Sequence, residues 1–529
     1  MRSVTTSGDA PGQAMVPRGK ALGSASSVIA RAARLSGFLL LSLAGGSGCG
    51  LAELDDESDC SLLATCGRCD PTTSREPVAD DCGYFVSASA GSDGGSGTKA
   101  APVRTLARAI ELASERSSSV FACAETFEEA LVLPSGIKLV GGLDCGRSFE
   151  AARNNGRRTT IVAPPDTVAV TVLGGDRTTR LQNVSIRASD AQVPGGSSVA
   201  VLVLEGASFE LSFSDVYAGS GAPGISGDSL VPGFAAAVSG VAGLPGSTAC
   251  MFASGEGEPT VLACGEMMSV GGQGGKPSTT EDAQDGAGGL PLFDLSGAGS
   301  GGQGHTDAAP CSDGVAGQDG PAGKAGEGGK GAGRLSGSGF LGARGADGGR
   351  GVPGQGGGGG GGARSEGACM GGVTLVGGGA GAGGSGGCGG RGGTGGGFGG
   401  ASIGIASVFA TVRLDAVDIF TGRGGDGGAG GSPELGGLGG LGGKGGESAL
   451  DVSGGCAGGN GGRGGHGGHG GAGSGGPSIG VAFVGSAPVV DRVIAVPGQG
   501  GYGGIAPTPE GRGEDGAAAP RMELEGSLL

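Results

Sequence analysis

Two stretches of this chain, 76 residues apart, are copies of one another: SIGIASVFATVRLDAVDIFTGRGG from Ser402 and SIGVAFVGSAPVVDRVIAVPGQGG from Ser478. They align without a gap over 24 residues, and glycine-rich sequence follows each copy. One structural unit therefore recurs, and a glycine excursion leaves it at the same point each time.

The core of the unit reads apolar, two residues, apolar, one residue, small or apolar, two residues, glycine. Leu414, Val417, Ile419 and Gly422 fit it, as do Val490, Val493, Ala495 and Gly498. Looser copies are read at Cys264, Met267, Ser269 and Gly272, and at Phe213, Val216 and Ala218, where the glycine drifts to Gly219 and Gly221. Apolar residues alternate in Ile403, Ile405 and Val408 and in Val168, Val170 and Val172, which predicts strands. Short strands that cannot bury a face alone stack coil upon coil, so the expected fold is all-β, a parallel β-helix or similar solenoid. Aromatic residues are 3% and Trp is absent, so Val, Ile, Leu and Ala must build the core, which suits thin coils.

The N-terminus reads as an export signal. Arg31 and Arg34 precede an apolar run from Leu35 to Ala44, then small residues and Cys49. That run is too short for a permanent bilayer helix. Small residues running into a cysteine resemble a bacterial lipobox, with Gly46 where Leu is usual; the resemblance implies lipidation at Cys49, and Gly50 after it implies sorting to the outer membrane. Met1 and Met15 are both candidate starts. The expected localisation is the outer membrane or cell surface through a lipid anchor, otherwise periplasmic or secreted. The net charge of −16 argues against a nucleic-acid partner.

Of 13 cysteines, 12 remain to pair once Cys49 is set aside. Cys60, Cys66, Cys69 and Cys82 form a cluster that reads as a disulfide knot rather than a zinc or redox site. Cys123 with Cys145 and Cys250 with Cys264 are the local pairs expected. Cys311, Cys369, Cys388 and Cys456 lie in or beside glycine tracts, where bonds would tie loops together.

Residues 84–146 carry an entry module: YFVSASAGSDGGSGTKAAPVRTLARAIELA, then FACAETFEEALVLPSGIKLVGGLDCG. Gly91, Ser92, Asp93, Gly97, Thr98, Pro102, Thr105, Glu128 and the Gly141–Gly142 pair match the opening of right-handed parallel β-helix proteins of the pectin-lyase-like superfamily. The resemblance implies a strand, a turn, a capping helix and a first coil. Independently, Leu106, Ala109, Ile110 and Ala113 share one helical face, with Thr105 as N-cap. The glycine tracts resemble those of PGRS-type bacterial surface proteins, without the N-terminal helical domain of the mycobacterial members.

The expected organisation is a signal peptide at 1–48, a Cys-rich segment at 49–83 and a helix-capped β-helix at 84–270. Glycine-rich insertions at 271–401 and 422–477 alternate with coils at 402–421 and 478–497, and a glycine-rich acidic tail fills 498–529. Two readings of the tracts stay open. They are flexible linkers, because glycine loses most entropy on ordering, or they pack as polyglycine II-like threefold helices bonded to their neighbours. A collagen-like reading of the triplets from Gly314 to Gly329 fails for want of imino acids.

No catalytic, metal or cofactor site is expected. His466 and His469 lack a third ligand, and GxGxxG is meaningless in a chain with 134 glycines. Asp176, Arg177, Arg180, Arg187 and Asp190 form the only candidate glycan-contact patch. The function expected is that of a non-catalytic structural or adhesive surface lipoprotein contacting glycan, matrix or neighbouring cells. The alternative is a polysaccharide-active β-helix enzyme, lyase or hydrolase, or a glycan-binding module.

Overall fold

The computed structural model describes residues 69–71, 77–151, 157–229, 236–250, 255–279, 281–294, 296–365, 369 and 376–526. The expected signal segment, Cys49, Cys60 and Cys66 lie outside them. The described chain is mostly strand and extended tract, with one α-helix, α1 (Leu106–Arg116). Thr105 caps α1 by accepting from the Arg108 N–H, and Leu106, Ala109, Ile110 and Ala113 are its buried residues, so both the cap and the buried face follow the sequence.

Two parallel sheets face each other. The first runs in the order Ala518–Glu523, Ser478–Val484, Ser402–Val408, Ser198–Val203, Val170–Val172 and Leu131–Leu133. Its registered column is Leu131, Val170, Val201, Ile405 and Val481, ending on Arg521. The second sheet is curled. Ser208–Ala218 and Thr411–Thr421 pair with each other and are long enough to turn a corner. Ser208–Ala218 pairs with Thr179–Gln182 before it and Val184–Arg187 after it, and Thr411–Thr421 with Val489–Asp491 before it and Ile494–Val496 after it. Leu139, Leu181, Leu211 and Leu414 stack before the corner, and Ile161, Ile186, Val216 and Ile419 after it. These columns meet the first sheet's column in one core.

The corner explains the repeated motif. Asn183, Phe213, Ala416 and Arg492 occupy it with φ of 57°, 49°, 52° and 49°, a left-handed conformation unusual away from glycine. One such residue reverses the side-chain parity, so that apolar residues three apart, such as Leu414 and Val417, both face inward. Two copies read from the sequence need correction. Leu211, not Phe213, pairs with Leu414, and Phe213 is an exposed corner residue; apolar spacing alone does not show where the parity flips. Cys264, Met267 and Ser269 are not a coil. They belong to an antiparallel hairpin, Val261–Cys264 with Met267–Val270, turned at Gly265 with φ of 79°.

Glycine excursions leave the curled sheet after Ala218, after Thr421 and after Val496, and each returns to the first sheet. The first opens at Gly219, well upstream of residue 271. The excursions bond to one another in triplet register. The pattern is clearest around Gly356–Gly362. Gly356, Gly359 and Gly362 donate to Leu290, Ala287 and Gln284; Gly357 and Gly360 donate to Gly384 and Gly381; Gly358 and Gly361 donate to Val315 and Ser312, all at 2.9–3.0 Å. Their carbonyls accept from Gly272 and Gly275, from Gly302 and His305, and from Gly459 and Cys456 at 2.8–3.1 Å. Six neighbours thus surround this run, and all seven glycines are buried.

That arrangement dictates the composition. A Cβ at any of these seven positions would lie 1.8–2.2 Å from a neighbouring carbonyl oxygen. Close approach gives all seven N–H groups and the carbonyls of Gly357–Gly362 backbone partners without side chains, which offsets the entropy that glycine loses on ordering.

Register in a lattice of near-identical triplets needs separate pins, since a shift of one triplet would preserve the backbone bonds. Asp-Gly dipeptides supply some. Gly314, Gly320 and Gly427 donate to the carbonyls of Ala457, Arg463 and Tyr502. The preceding Asp313, Asp319 and Asp426 accept from the N–H of those same residues at 2.7–2.8 Å. Disulfides supply others. Cys264–Cys388, Cys250–Cys369 and Cys311–Cys456 each tie distant segments of the glycine-rich region, while Cys123–Cys145 and Cys69–Cys82 close local loops. The expected Cys250–Cys264 bond is therefore wrong: each sulfur finds a partner over a hundred residues away, because the lattice brings separate tracts side by side.

Candidate functional surface

The outward face of the curled sheet is where side chains converge. Lys138 pairs in register with Arg180, Arg180 with Glu210, and Glu210 with Arg413. The row therefore carries ammonium, guanidinium, carboxylate and guanidinium on consecutive strands. Beside it runs a second row of Gln182, Ser212, Asp415 and Asp491. A shallow groove of about 230 Å³ lies over them, lined by Lys138, Arg180, Gln182, Glu210, Arg413 and Asp415 among others.

The charges in this groove are largely matched. Arg180 Nε donates to Glu210 Oε2 at 2.7 Å, and Arg492 reaches Asp415 with both Nε and Nη2 at 2.6–3.0 Å. The hydrogen bond to Asp415 and its negative charge raise the pKa of the Arg492 guanidinium above its ordinary value. Both carboxylates thus already have cationic partners. Lys138 and Arg413 supply further positive charge for an anionic or hydroxyl-rich ligand.

Of the five residues singled out from sequence, only Arg180 lies here. Arg177 is held near the helix end, donating to Ser117 Oγ at 2.8 Å and, through its backbone N–H, to Ser135 Oγ at 2.9 Å. Arg187 stacks on Tyr217 with its guanidinium 4.2 Å from the ring centre, and Tyr217 in turn stacks on Phe420. Asp190 accepts from the Ser220 N–H where the first excursion departs, and Asp176 is an exposed turn residue. Proximity in sequence grouped these five, whereas strand register groups Arg180 with Lys138, Glu210 and Arg413. Aligning Leu181, Leu211 and Leu414 as equivalent positions is the signal that finds that row.

The second surface belongs to the glycine-rich bundle. On its outer tracts every third residue points away from the lattice, giving rows such as Leu435, Leu438 and Leu441. His466 turns its Nδ1 to the Gly436 N–H at 3.1 Å, and Asn460 accepts from Gly442 at 2.8 Å; both side chains pin neighbouring tracts. Among the described residues no group of three or more His, Cys, Asp or Glu is placed to hold a metal ion. No described helix is long and apolar enough to cross a membrane. The five disulfides among the described residues suit an oxidising, exported setting. Comparison with protein-family models, curated proteins and solved structures gives no match.

Proposed function

We propose that this chain is a non-catalytic structural or adhesive protein of the bacterial cell surface. In this reading the parallel sheets are a right-handed β-helix, the hand that parallel crossovers almost always take, with α1 covering one end. The bonded tracts are a polyglycine II-like bundle carried on one corner of the coils. Lipidation at Cys49 anchors the chain to the outer membrane, and the exposed rows contact glycan, matrix or neighbouring cells.

One observation carries the proposal: Gly356–Gly362 has six bonded neighbours. A tract serving only as a spacer has no need of such order, whereas a rigid scaffold presenting side chains at fixed intervals depends on it. The matched carboxylates of the groove also favour a role without catalysis. Hydrolysis by the usual route needs two carboxylates flanking the scissile bond, and Glu210 and Asp415 are each engaged by an arginine.

The alternative, a polysaccharide-active enzyme or glycan-binding module, rests on the convergence of Lys138, Arg180, Glu210 and Arg413. A single experiment separates the readings. Mature oxidised protein is incubated with a panel of neutral and uronate-containing polysaccharides, and both retention and new reducing or unsaturated ends are followed. The scaffold reading expects no chain cleavage from the wild type. Cleavage that disappears in Glu210→Gln would establish the enzyme instead.

A further inference from the structure

The bundle carries one large exposed apolar patch on two adjacent tracts. Ala237, Gly240 and Gly243 donate to the carbonyls of Leu435, Leu438 and Leu441 at 2.7–2.9 Å, so the two tracts run side by side in register. Val238, Val241 and Leu244 project from one and Leu435, Leu438 and Leu441 from the other. All six are 43–68% exposed. Lys444 and Glu447 follow along the tract, and Asn460 and His466 bond to its glycine edge, giving an apolar field with a polar rim. Such a patch on a chain with few aromatics marks an interaction surface.

We propose that this face is a homodimer interface, occupied by a second copy of the same chain. The reason is geometric. In a threefold extended helix the side chains recur about every 9 Å, at about 3.1 Å per residue, and LGGLGGL leaves glycine-floored gaps between successive leucines. A surface of projections and gaps at that interval is complementary to itself when displaced by half a period. A two-fold axis provides that displacement and uses the same patch twice. An ordinary globular surface does not repeat with this period. The six side chains offer on the order of 600 Å² per copy, close to the about 800 Å² per partner of a standard stable interface. This goes beyond the proposed surface role and stands or falls separately from it.

Sedimentation velocity of the mature oxidised protein across the micromolar range tests the proposal. The expected result is a concentration-dependent monomer–dimer equilibrium. Leu438→Lys places two charges at the two-fold contact and should weaken it at least about a hundredfold, since buried anchors dominate interface energies. Leu438 is exposed, so folding should be unchanged, as circular dichroism will report. Val315→Lys, at another exposed position on a tract not bonded to these two, should leave the dimer intact. A wild type that stays monomeric overturns the proposal, as does a dimer insensitive to Leu438→Lys. Flotation with phosphatidylcholine vesicles in place of self-association also overturns it, and would assign the patch to a lipid surface.

Discussion

Replacing one glycine by alanine should have opposite effects at two positions only about a hundred residues apart, and the contrast separates an ordered lattice from a flexible linker. At Gly361 a Cβ would lie 1.8 Å from the Gln303 carbonyl oxygen and 2.4 Å from its carbon, so one backbone must retreat by more than an ångström. The tract that retreats carries the bonds from Gly302 to Gly359 and from His305 to Gly362, at 2.8 and 3.0 Å. Each buried backbone group left without a partner costs about 1–3 kcal/mol. Losing both bonds frees four groups, and if two of them find substitutes the remaining two destabilise by about 2–6 kcal/mol. At Gly255, by contrast, a Cβ meets nothing within 4 Å and φ is not positive. Alanine there restricts the unfolded chain and stabilises by about 0.4–1 kcal/mol. Guanidinium unfolding of the two oxidised variants, followed by circular dichroism, gives both values, with the midpoint interpreted only where the slope is unchanged. If Gly361→Ala behaves like Gly255→Ala, the six-neighbour packing is wrong.

Other expectations follow from the pins and the core. Removing the Asp426 carboxylate in Asp426→Ala leaves the Tyr502 N–H without its acceptor and should cost about 1–2 kcal/mol, seen as faster exchange of the 498–505 tract. Leu414→Ala empties a fully buried position between the sheets and should destabilise by about 2–5 kcal/mol in the same unfolding assay. Breaking Cys264–Cys388 by the double Ser variant leaves Cys250–Cys369 intact, so the loop that it closes runs through that second bond and is only about 35 residues, and its loss should cost about 4 kcal/mol on the chain-entropy model; proteolysis should then cut first in the glycine-rich region. The Asp294 carboxyl titrates below its ordinary value because the Ser296 hydroxyl and the Gln318 amide hydrogen-bond to its charged form. Its contribution is present above the unfolded-state pKa and lost as pH falls through the lower folded-state value. Acid titration followed by NMR should show the Asp294–Gln318 contact, 3.0 Å long, opening in that window.

The sequence carried the parts whose information is in side chains. Thr105 and the Leu106, Ala109, Ile110, Ala113 face determine α1 locally, so they were legible. The repeated unit placed the departure of the last two excursions, after Thr421 and Val496. What it could not place was the corner residue: Asn183, Phe213, Ala416 and Arg492 share a backbone angle and no side-chain chemistry. The Cys250–Cys369 and Cys264–Cys388 bonds were equally hidden, because they depend on which tracts become neighbours. That neighbourhood is set by backbone bonds between glycines, which leave no pattern in residue type beyond the triplet itself. The groove was half legible. Arg180 stood out by charge, but Lys138, Glu210 and Arg413 join it only through strand register.

Hydrogen–deuterium exchange of the backbone amides of Gly356–Gly362 in the oxidised protein tests the ordered bundle most directly. All seven N–H groups donate to neighbouring tracts, so they should exchange as slowly as those of the buried strand Ser402–Val408. Exchange at the rate of an unstructured glycine peptide, with Ser402–Val408 still protected, would contradict the bundle and leave the tracts as flexible spacers on the parallel sheets.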